Sequence, residues 1–366
     1  MNVTVQRDFA KAVATVRHAT DAKSLPILSH LLLEARDQQI RITGTDLSTS
    51  IRLTVPAEVT SPGALALPAH HLAEITHALP ADATLTLAQT DEDSVQLVCG
   101  RAHYRIKGLP PADFPQFPGA PESNWLTLPA PVFADLVKKT EFAVDTKADR
   151  PHLSGIALSA TADALRASAT NGHRLATVTL PQGNGSQAVD AIIPPKGLVF
   201  AARLASERQG DVRLSFPPHQ GHFVVQQDGF TVATRLIDGS FPDVTRVIPV
   251  QREQGLELSR ESLRATLRRL TPILTEIQSV SFTPTDTSLV VSGRNADLAE
   301  GREDLDYTPI GTPASFSLQA KYLLEYLDRV TAETLRLYVT GPLDPILVLP
   351  VGDDTYTYIV MPIRGD

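Results

Sequence analysis

Short runs in which apolar and polar residues alternate with period two dominate the chain. Ile40 and Ile42 are spaced this way, as are Ile51, Leu53 and Val55. That spacing predicts half-buried strands. Between the runs lie six segments whose apolar residues recur every three or four positions, as Phe9 and Val13 do. These predict amphipathic helices over 7–18, 69–79, 131–140, 196–208, 259–270 and 320–330. In the first third a strand leads into a helix and three strands follow, and this order then runs a second time. Antiparallel sheet with two helices packed on one side is an α+β layout.

The pattern itself repeats. "LPAHHLAEI" begins at Leu67, "IPPKGLVFA" at Ile193 and "LQAKYLLEY" at Leu318. Thr45-Asp46 of "TGTDLSTSIRL", Thr170-Asn171 of "SATNGHRLATV" and Arg294-Asn295 of "SGRNADLAEGR" keep the same register. "ADFPQF", "GSFPDV" and "VMPIRG" follow more loosely. Three sets of matches in one order, about 125 residues apart, predict three similar domains. Their expected bounds are 1–120, 121–250 and 251–366. The proline-rich stretch 110–124 and the segment 248–255 read as linkers.

Composition narrows the function. A hydrophobic content of 42% suits a globular chain, and no apolar run approaches the length of a membrane span. The N-terminus lacks a signal-peptide core, so the expected compartment is cytoplasmic, with no membrane partner. The single cysteine, Cys99, excludes an intrachain disulfide framework and a multi-cysteine metal site. Neither a cofactor nor a metal is expected.

Net charge is −8, which taken alone argues against nucleic acid. The distribution says otherwise. Taken together the predicted helices are net positive, and the rest of the chain is more acidic than the total. Arg260, Arg264 and Arg268 recur on one helical face. A single basic helix is ordinarily a solvated face. Several in equivalent repeat positions would form a common surface that attracts a polyanion.

The strings "SLPILSHLLLE", "TGTDLSTSI", "LPPADFPQF", "SATNGHRLA", "LIDGSFPDVTRVIP" and "YIVMPIR" resemble, in this order and over essentially the whole chain, the bacterial DNA polymerase III beta subunit, the sliding clamp. The resemblance implies three similar clamp domains per chain and a head-to-tail homodimer closed into a ring. Helices would line the hole, and double-stranded DNA would pass through without sequence preference. It implies a non-catalytic processivity factor in DNA replication. The implied partners are the polymerase III catalytic subunit, the clamp loader, and other polymerases and repair proteins that share a short peptide motif.

Matched motif by motif, the family's peptide pocket would draw on Leu153, Thr170, Gly172, His173, Arg174 and Leu175. It would also use Pro242, Arg246 and Val247, and then Ile359, Val360, Met361, Pro362, Ile363 and Arg364. An apolar cleft containing a methionine adapts to several peptides, and arginines at its rim would hold a carboxylate or carbonyl. Read without the family, Leu153, Leu175, Val247 and Val360 are ordinary core residues. The DNA-contacting candidates are Lys23, Arg101, Arg105, Lys147, Arg150, His152, Lys196, Arg264 and Arg268; each also reads as a surface charge. Pro151 and His152 stand where relatives carry aromatics. Ile273 and Leu274 fall at the family's subunit interface, with core packing as the other reading. Asn171 replaces a common aspartate, and Gly365-Asp366 extends past the family's pattern.

Two rival readings remain. An enzyme would need a glycine-rich phosphate loop, a GxSxG elbow or an HExxH helix, and none is present. A peptide-binding scaffold without DNA would share the pocket but not the ring.

Overall fold

The computed structural model describes the chain except residues 22, 81, 120–124, 148, 182, 184–188, 216–220, 275–278, 296–297 and 365–366, and the side chain of Arg7. Six α-helices are present among the described residues: α1 (Arg7–Val16), α2 (Ala69–Ala78), α3 (Ala130–Thr140), α4 (Pro195–Ser206), α5 (Arg260–Leu270) and α6 (Ala320–Leu327). All six coincide with predicted segments. Differences sit at the ends, where α1 passes into a 3-10 turn over Arg17–Ala19. Each helix is held by one apolar stripe. In α5, Leu263, Thr266, Leu267 and Leu270 are buried while Arg268 and Arg269 are exposed, and the Ser259 hydroxyl accepts from the Ser262 N–H as an N-cap.

The strands form four antiparallel sheets, and two of these run across repeat boundaries. One unit comprises Met1–Phe133 and Lys196–Leu236, the other Ala134–Pro195 and Ile237–Asp366, so the division falls inside α3. Repeat two is therefore shared between the units.

The first unit holds a five-stranded sheet in the order Glu58–Ser61, Asn2–Val5, Leu85–Asp91, Ser94–Cys99, Ala102–Lys107. Its second sheet has eight strands: Trp125–Pro129, Asp211–Ser215, His222–Gln227, Phe230–Arg235, Thr49–Pro56, Gln39–Thr45, His30–Arg36, Gly63–Pro68. The repeats join where Val232 of repeat two faces Ile51 of repeat one. Phe9, Val13, Ile42, Leu53, Val225 and Val232 belong to its buried core. Helix α4 lies so close to this sheet that a Cβ on Gly197 would overlap the Thr234 hydroxyl.

The second unit holds a nine-stranded sheet: Val189–Ile193, Ile156–Ala160, Leu165–Thr170, Arg174–Leu180, Tyr356–Val360, Ile346–Pro350, Thr334–Tyr338, Gly255–Ser259, Thr308–Ile310. Its four-stranded sheet runs Ala299–Leu305, Leu289–Asn295, Ser279–Pro284, Phe316–Gln319. Here the join is between Arg174–Leu180 and Tyr356–Val360, so the last strand of the chain is the seam. Repeat-by-repeat reading expects each domain to fold its own sheet. Two of the four observed sheets are instead shared between repeats, because edge strands there satisfy their unpaired N–H and C=O groups by pairing with the next repeat.

Candidate functional site

The seam in the second unit builds the site. Register places Leu175 opposite Ile359, Ile359 opposite Leu347, and Leu347 opposite Tyr338. Directly paired residues share a face, so these four make one row across four strands. Leu175, Ile359 and Leu347 form a buried cluster with Val244, flanked by half-buried Phe241, Ile248, Tyr338 and Leu349. Val244 arrives on the 3-10 turn Val244–Val247, which Asp243 caps by accepting from the Thr245 N–H at 3.1 Å. The hydroxyl of Thr245 also bonds to that carboxylate and is the main reason Asp243 titrates below its ordinary range.

The C-terminal segment continues this floor outward. The Met361 N–H donates to the His173 carbonyl at 2.8 Å, and the Ile363 N–H to the Ser317 carbonyl at 2.9 Å. Pairing thus extends one step beyond the strand and puts Met361 and His173 on the face of Ile359 and Leu175. Met361, Val247, Pro242, His173, Arg246 and Arg364 are exposed, and Pro362 and Ile363 half-buried. An apolar floor with exposed apolar and basic groups beside it suits a short apolar peptide better than it suits solvent.

Two expected pocket residues turn the other way. Arg174 and Val360 face each other across the same seam, one residue out of phase with Leu175 and Ile359. They lie on the face of Tyr358, whose hydroxyl donates to the Tyr322 carbonyl of α6. Arg174 is not a rim group. It is buried, pairs with Glu325, donates to the Phe142 carbonyl, and stacks 4.6 Å from the Tyr322 ring centroid. A guanidinium with these partners is committed to structure. It lies behind the floor.

The turn between Thr170 and Arg174 is built locally. The Asn171 side-chain oxygen accepts from the N–H groups of His173 and Arg174, at 3.0 and 3.1 Å, and the Thr170 hydroxyl donates to the Arg174 carbonyl at 2.6 Å. An amide oxygen serves here as well as a carboxylate does, so Asn171 keeps the turn without the charge. Gly172 sits at φ +84°, and a Cβ there would come 2.8 Å from the Arg150 guanidinium. Arg150 is one of the DNA-contacting candidates. Its guanidinium donates to the Asn171 carbonyl at 2.9 Å and pairs with buried Asp145 at 2.7 Å, bracing this turn. Leu153 is buried at the end of the turn Pro151–Leu153, where its carbonyl accepts from the Asp145 N–H. The motif reading missed Val244 and Leu347, because only cross-strand register shows them on the floor.

Known proteins agree with this architecture. Three domain profiles of the DNA polymerase III beta subunit match in series: the N-terminal domain over residues 1–118, the central domain over 127–243 and the C-terminal domain over 245–364. The chain belongs to the DNA polymerase III beta-subunit family. The beta sliding clamp of Pseudomonas putida is 30% identical with both chains fully covered, and that of Escherichia coli K12 is 28% identical over 93% of each. Among solved structures, the DNA polymerase III subunit beta of Pseudomonas aeruginosa superposes with a TM-score of 0.92 at 28% identity over both full chains. A sliding clamp from the same organism bound to griselimycin gives 0.94 at 28%, again over both full chains. The chain is thus an α+β sliding clamp with three clamp domains, a non-catalytic processivity factor of DNA replication.

The remaining basic candidates of this beta subunit differ in their freedom. Lys23, Arg101 and Lys147 are exposed and have no ion pair among the described residues. Lys196 pairs with Asp46 at 2.6 Å, and Arg105 pairs with Asp91. His152 is half-buried, its Cβ 3.3 Å from where a Cβ on Gly239 would sit. The α5 arginines were expected as an open basic face. Arg264 and Arg268 share Asp328 at 3.2 and 2.8 Å, and Arg264 also bonds Glu261 at 3.0 Å, so that face is partly neutralised. Arg17, Lys196 and Arg203 gather around His18, and of these only Lys196 is a sequence candidate. Burial is the main cause of the lowered His18 pKa, and Arg203, Arg17 and Lys196 lower it further, although Arg17 pairs with Glu74 at 3.2 Å.

Ile273 and Leu274 are half-buried. A Cβ on Gly301 would come 2.7 Å from Ile273, and one on Gly293 would overlap Leu274, so both pack over the four-stranded sheet within the chain. No described helix is long and apolar enough to cross a membrane.

Proposed function

We propose that two copies of this chain close head to tail into a ring that encircles duplex DNA in the cytoplasm. The ring tethers the replicative polymerase through the floor around Leu175, Ile359, Leu347 and Met361. The clamp loader and other polymerases and repair proteins compete for the same floor through a short apolar motif. The fold supplies the argument for closure. The strand ending the first half of repeat one, Thr49–Pro56, pairs with the strand ending repeat two. The strand ending the first half of repeat two, Arg174–Leu180, pairs with the strand ending repeat three. By the same rule Ala299–Leu305, which ends the first half of repeat three, calls for a strand that ends a repeat one.

That strand is Ala102–Lys107. Both are edges of their sheets, and an exposed edge is a template for pairing with another chain. Their net charges are opposite: His103, Arg105 and Lys107 on one, and Glu300, Glu303 and Asp304 against the single Arg302 on the other. Each chain offers one edge of each kind, so the contact is heterologous and a cyclic dimer leaves neither exposed. Ile273 and Leu274, packed over Gly301 and Gly293, would lie beside this seam. Loose contact with phosphates by Lys23, Lys147, Lys196 and the cluster around His18 supports sliding, because phosphate contacts carry no sequence information.

Light scattering tests the seam. The Arg105→Glu/Lys107→Glu protein should run as a monomer and lose loader-dependent retention on circular DNA. Mixing it with the Glu300→Lys/Asp304→Lys protein should restore a dimer. A parent protein that is monomeric, or that stays on DNA after linearisation, would refute the ring.

A further inference from the structure

The sheet face opposite the buried core of the first unit carries an arginine groove, apart from the peptide floor of the second unit. Arg52 faces Thr231, Thr231 faces Gln226, and Gln226 faces Arg213, one row across four strands. Arg41 lies one strand beyond Arg52 and two residues out along the sheet, opposite Thr54. These residues alternate with buried Ile42, Leu53, Val232, Val225 and Leu214, so they point away from the core. With Asp211, Asp228 and Gly229 they line a groove of about 470 Å³.

Arg52 and Arg213 have no ion pair among the described residues, and Arg41 faces Glu34 across the neighbouring strand. Arg52 is half-buried; its Nε donates to the Thr43 hydroxyl at 3.2 Å and its guanidinium stacks 4.2 Å from the Phe117 ring centroid. Arg213 stacks 4.4 Å from the Trp125 ring centroid. Stacking orients each planar fork while leaving its N–H edge available. Burial is the main cause of the lowered Arg52 pKa; Glu34 pulls the other way, and Arg41 and Arg36 add smaller pushes downward.

We propose that this groove binds an acidic peptide segment of a partner protein in extended form, with two carboxylates four residues apart held by Arg52 and Arg213. Three interstrand steps separate these arginines by about 14 Å, and four residues of extended chain span the same distance on one face. Arg41 adds charge at the Arg52 end. Thr231 and Gln226 offer hydrogen bonds to the peptide backbone between the two forks. Nucleic acid is the poorer occupant, because Asp211 and Asp228 line the same groove and would repel a continuous run of phosphates.

The test uses the full chain and a fluorescein-labelled Ser/Thr peptide with glutamates at positions i and i+4, read by anisotropy at low salt. The expected result is saturable binding. It should weaken by about tenfold or more for Arg52→Gln or Arg213→Gln, and equally when glutamine replaces either glutamate. Arg213→Lys, which keeps the charge and loses the fork, should fall between. Thermal melting and binding of an apolar polymerase peptide to the Leu175–Ile359 floor should be unchanged in Arg213→Gln, which separates this groove from the tethering site. The proposal is overturned by any of three results: no saturable binding, equal affinity for a peptide with glutamates at i and i+3, or tighter binding of a short oligothymidylate that the same substitutions abolish.

Discussion

The tethering floor makes a prediction in which affinity and stability separate. Met361 is 37% exposed and Val247 50% exposed, whereas Ile359 beneath them is 3% exposed. Fully burying a Met or Val side chain is worth about 1.5–3 kcal/mol. A docked peptide can recover only the exposed share, about 0.5–1 kcal/mol at Met361 and about 0.8–1.5 kcal/mol at Val247. The Met361→Ala/Val247→Ala protein should therefore bind an apolar partner peptide about 10- to 60-fold more weakly. Its melting temperature should barely move, because the tie at position 361 is a backbone N–H to the His173 carbonyl, which alanine keeps. Ile359→Ala is the contrast: it opens a cavity in the floor and should cost about 2–5 kcal/mol of stability as well. Fluorescence polarisation with a labelled peptide and thermal melts of the same samples read both quantities. Peptide affinity within twofold of the parent, in a double variant that melts normally, would remove these two residues from the contact.

Two further outcomes concern the framework behind the floor. Arg174→Met deletes the partner of Glu325 and of the Phe142 carbonyl and should lower unfolding free energy by about 3 kcal/mol, read by denaturant titration. Peptide affinity should fall less than in the Met361/Val247 variant, since Arg174 lies on the opposite face. Burial alone would raise the Asp353 pKa, but bonds from Thr355 and from Lys139 at 2.9 Å hold it below its ordinary value. Its contribution is therefore present above the ordinary carboxylate pKa and lost as pH falls below about 4. Burial likewise pulls Lys139 down, but Asp135 and Asp353 outweigh it and raise its pKa, so its share is lost only at strongly alkaline pH. Asp353→Asn should melt earlier than the parent at pH 7 and show a smaller loss between pH 5 and pH 3; equal acid losses would exclude this cluster.

How far the sequence reveals all this depends on the kind of information each feature needs. Helix α5 is legible because Leu263, Leu267 and Leu270 define a stripe within one segment. The repeat is legible because it compares segments of the same chain. Pairing is another matter. Nothing in the alternation of Arg174–Leu180 says that its neighbour lies far along the chain at Tyr356–Val360. That last strand shows little alternation: four of its five residues are buried, since both faces are covered. Its sequence thus cannot say that Ile359 faces the floor and Val360 the helices; a one-residue slip would exchange them. The same gap hides Arg174, whose burial depends on Glu325 and the Phe142 carbonyl arriving from two other elements.

Pairing across repeats also explains what holds the segment from Tyr356 to Met361 in place. A final strand at a free edge would fray. This one is bordered on one side by Ile346–Pro350 and on the other by repeat two, so the apolar groups at its end are fixed where a partner can reach them. Any substitution that weakens the seam should therefore weaken tethering even without touching the peptide. Leu175 and Ile359 belong to floor and seam alike.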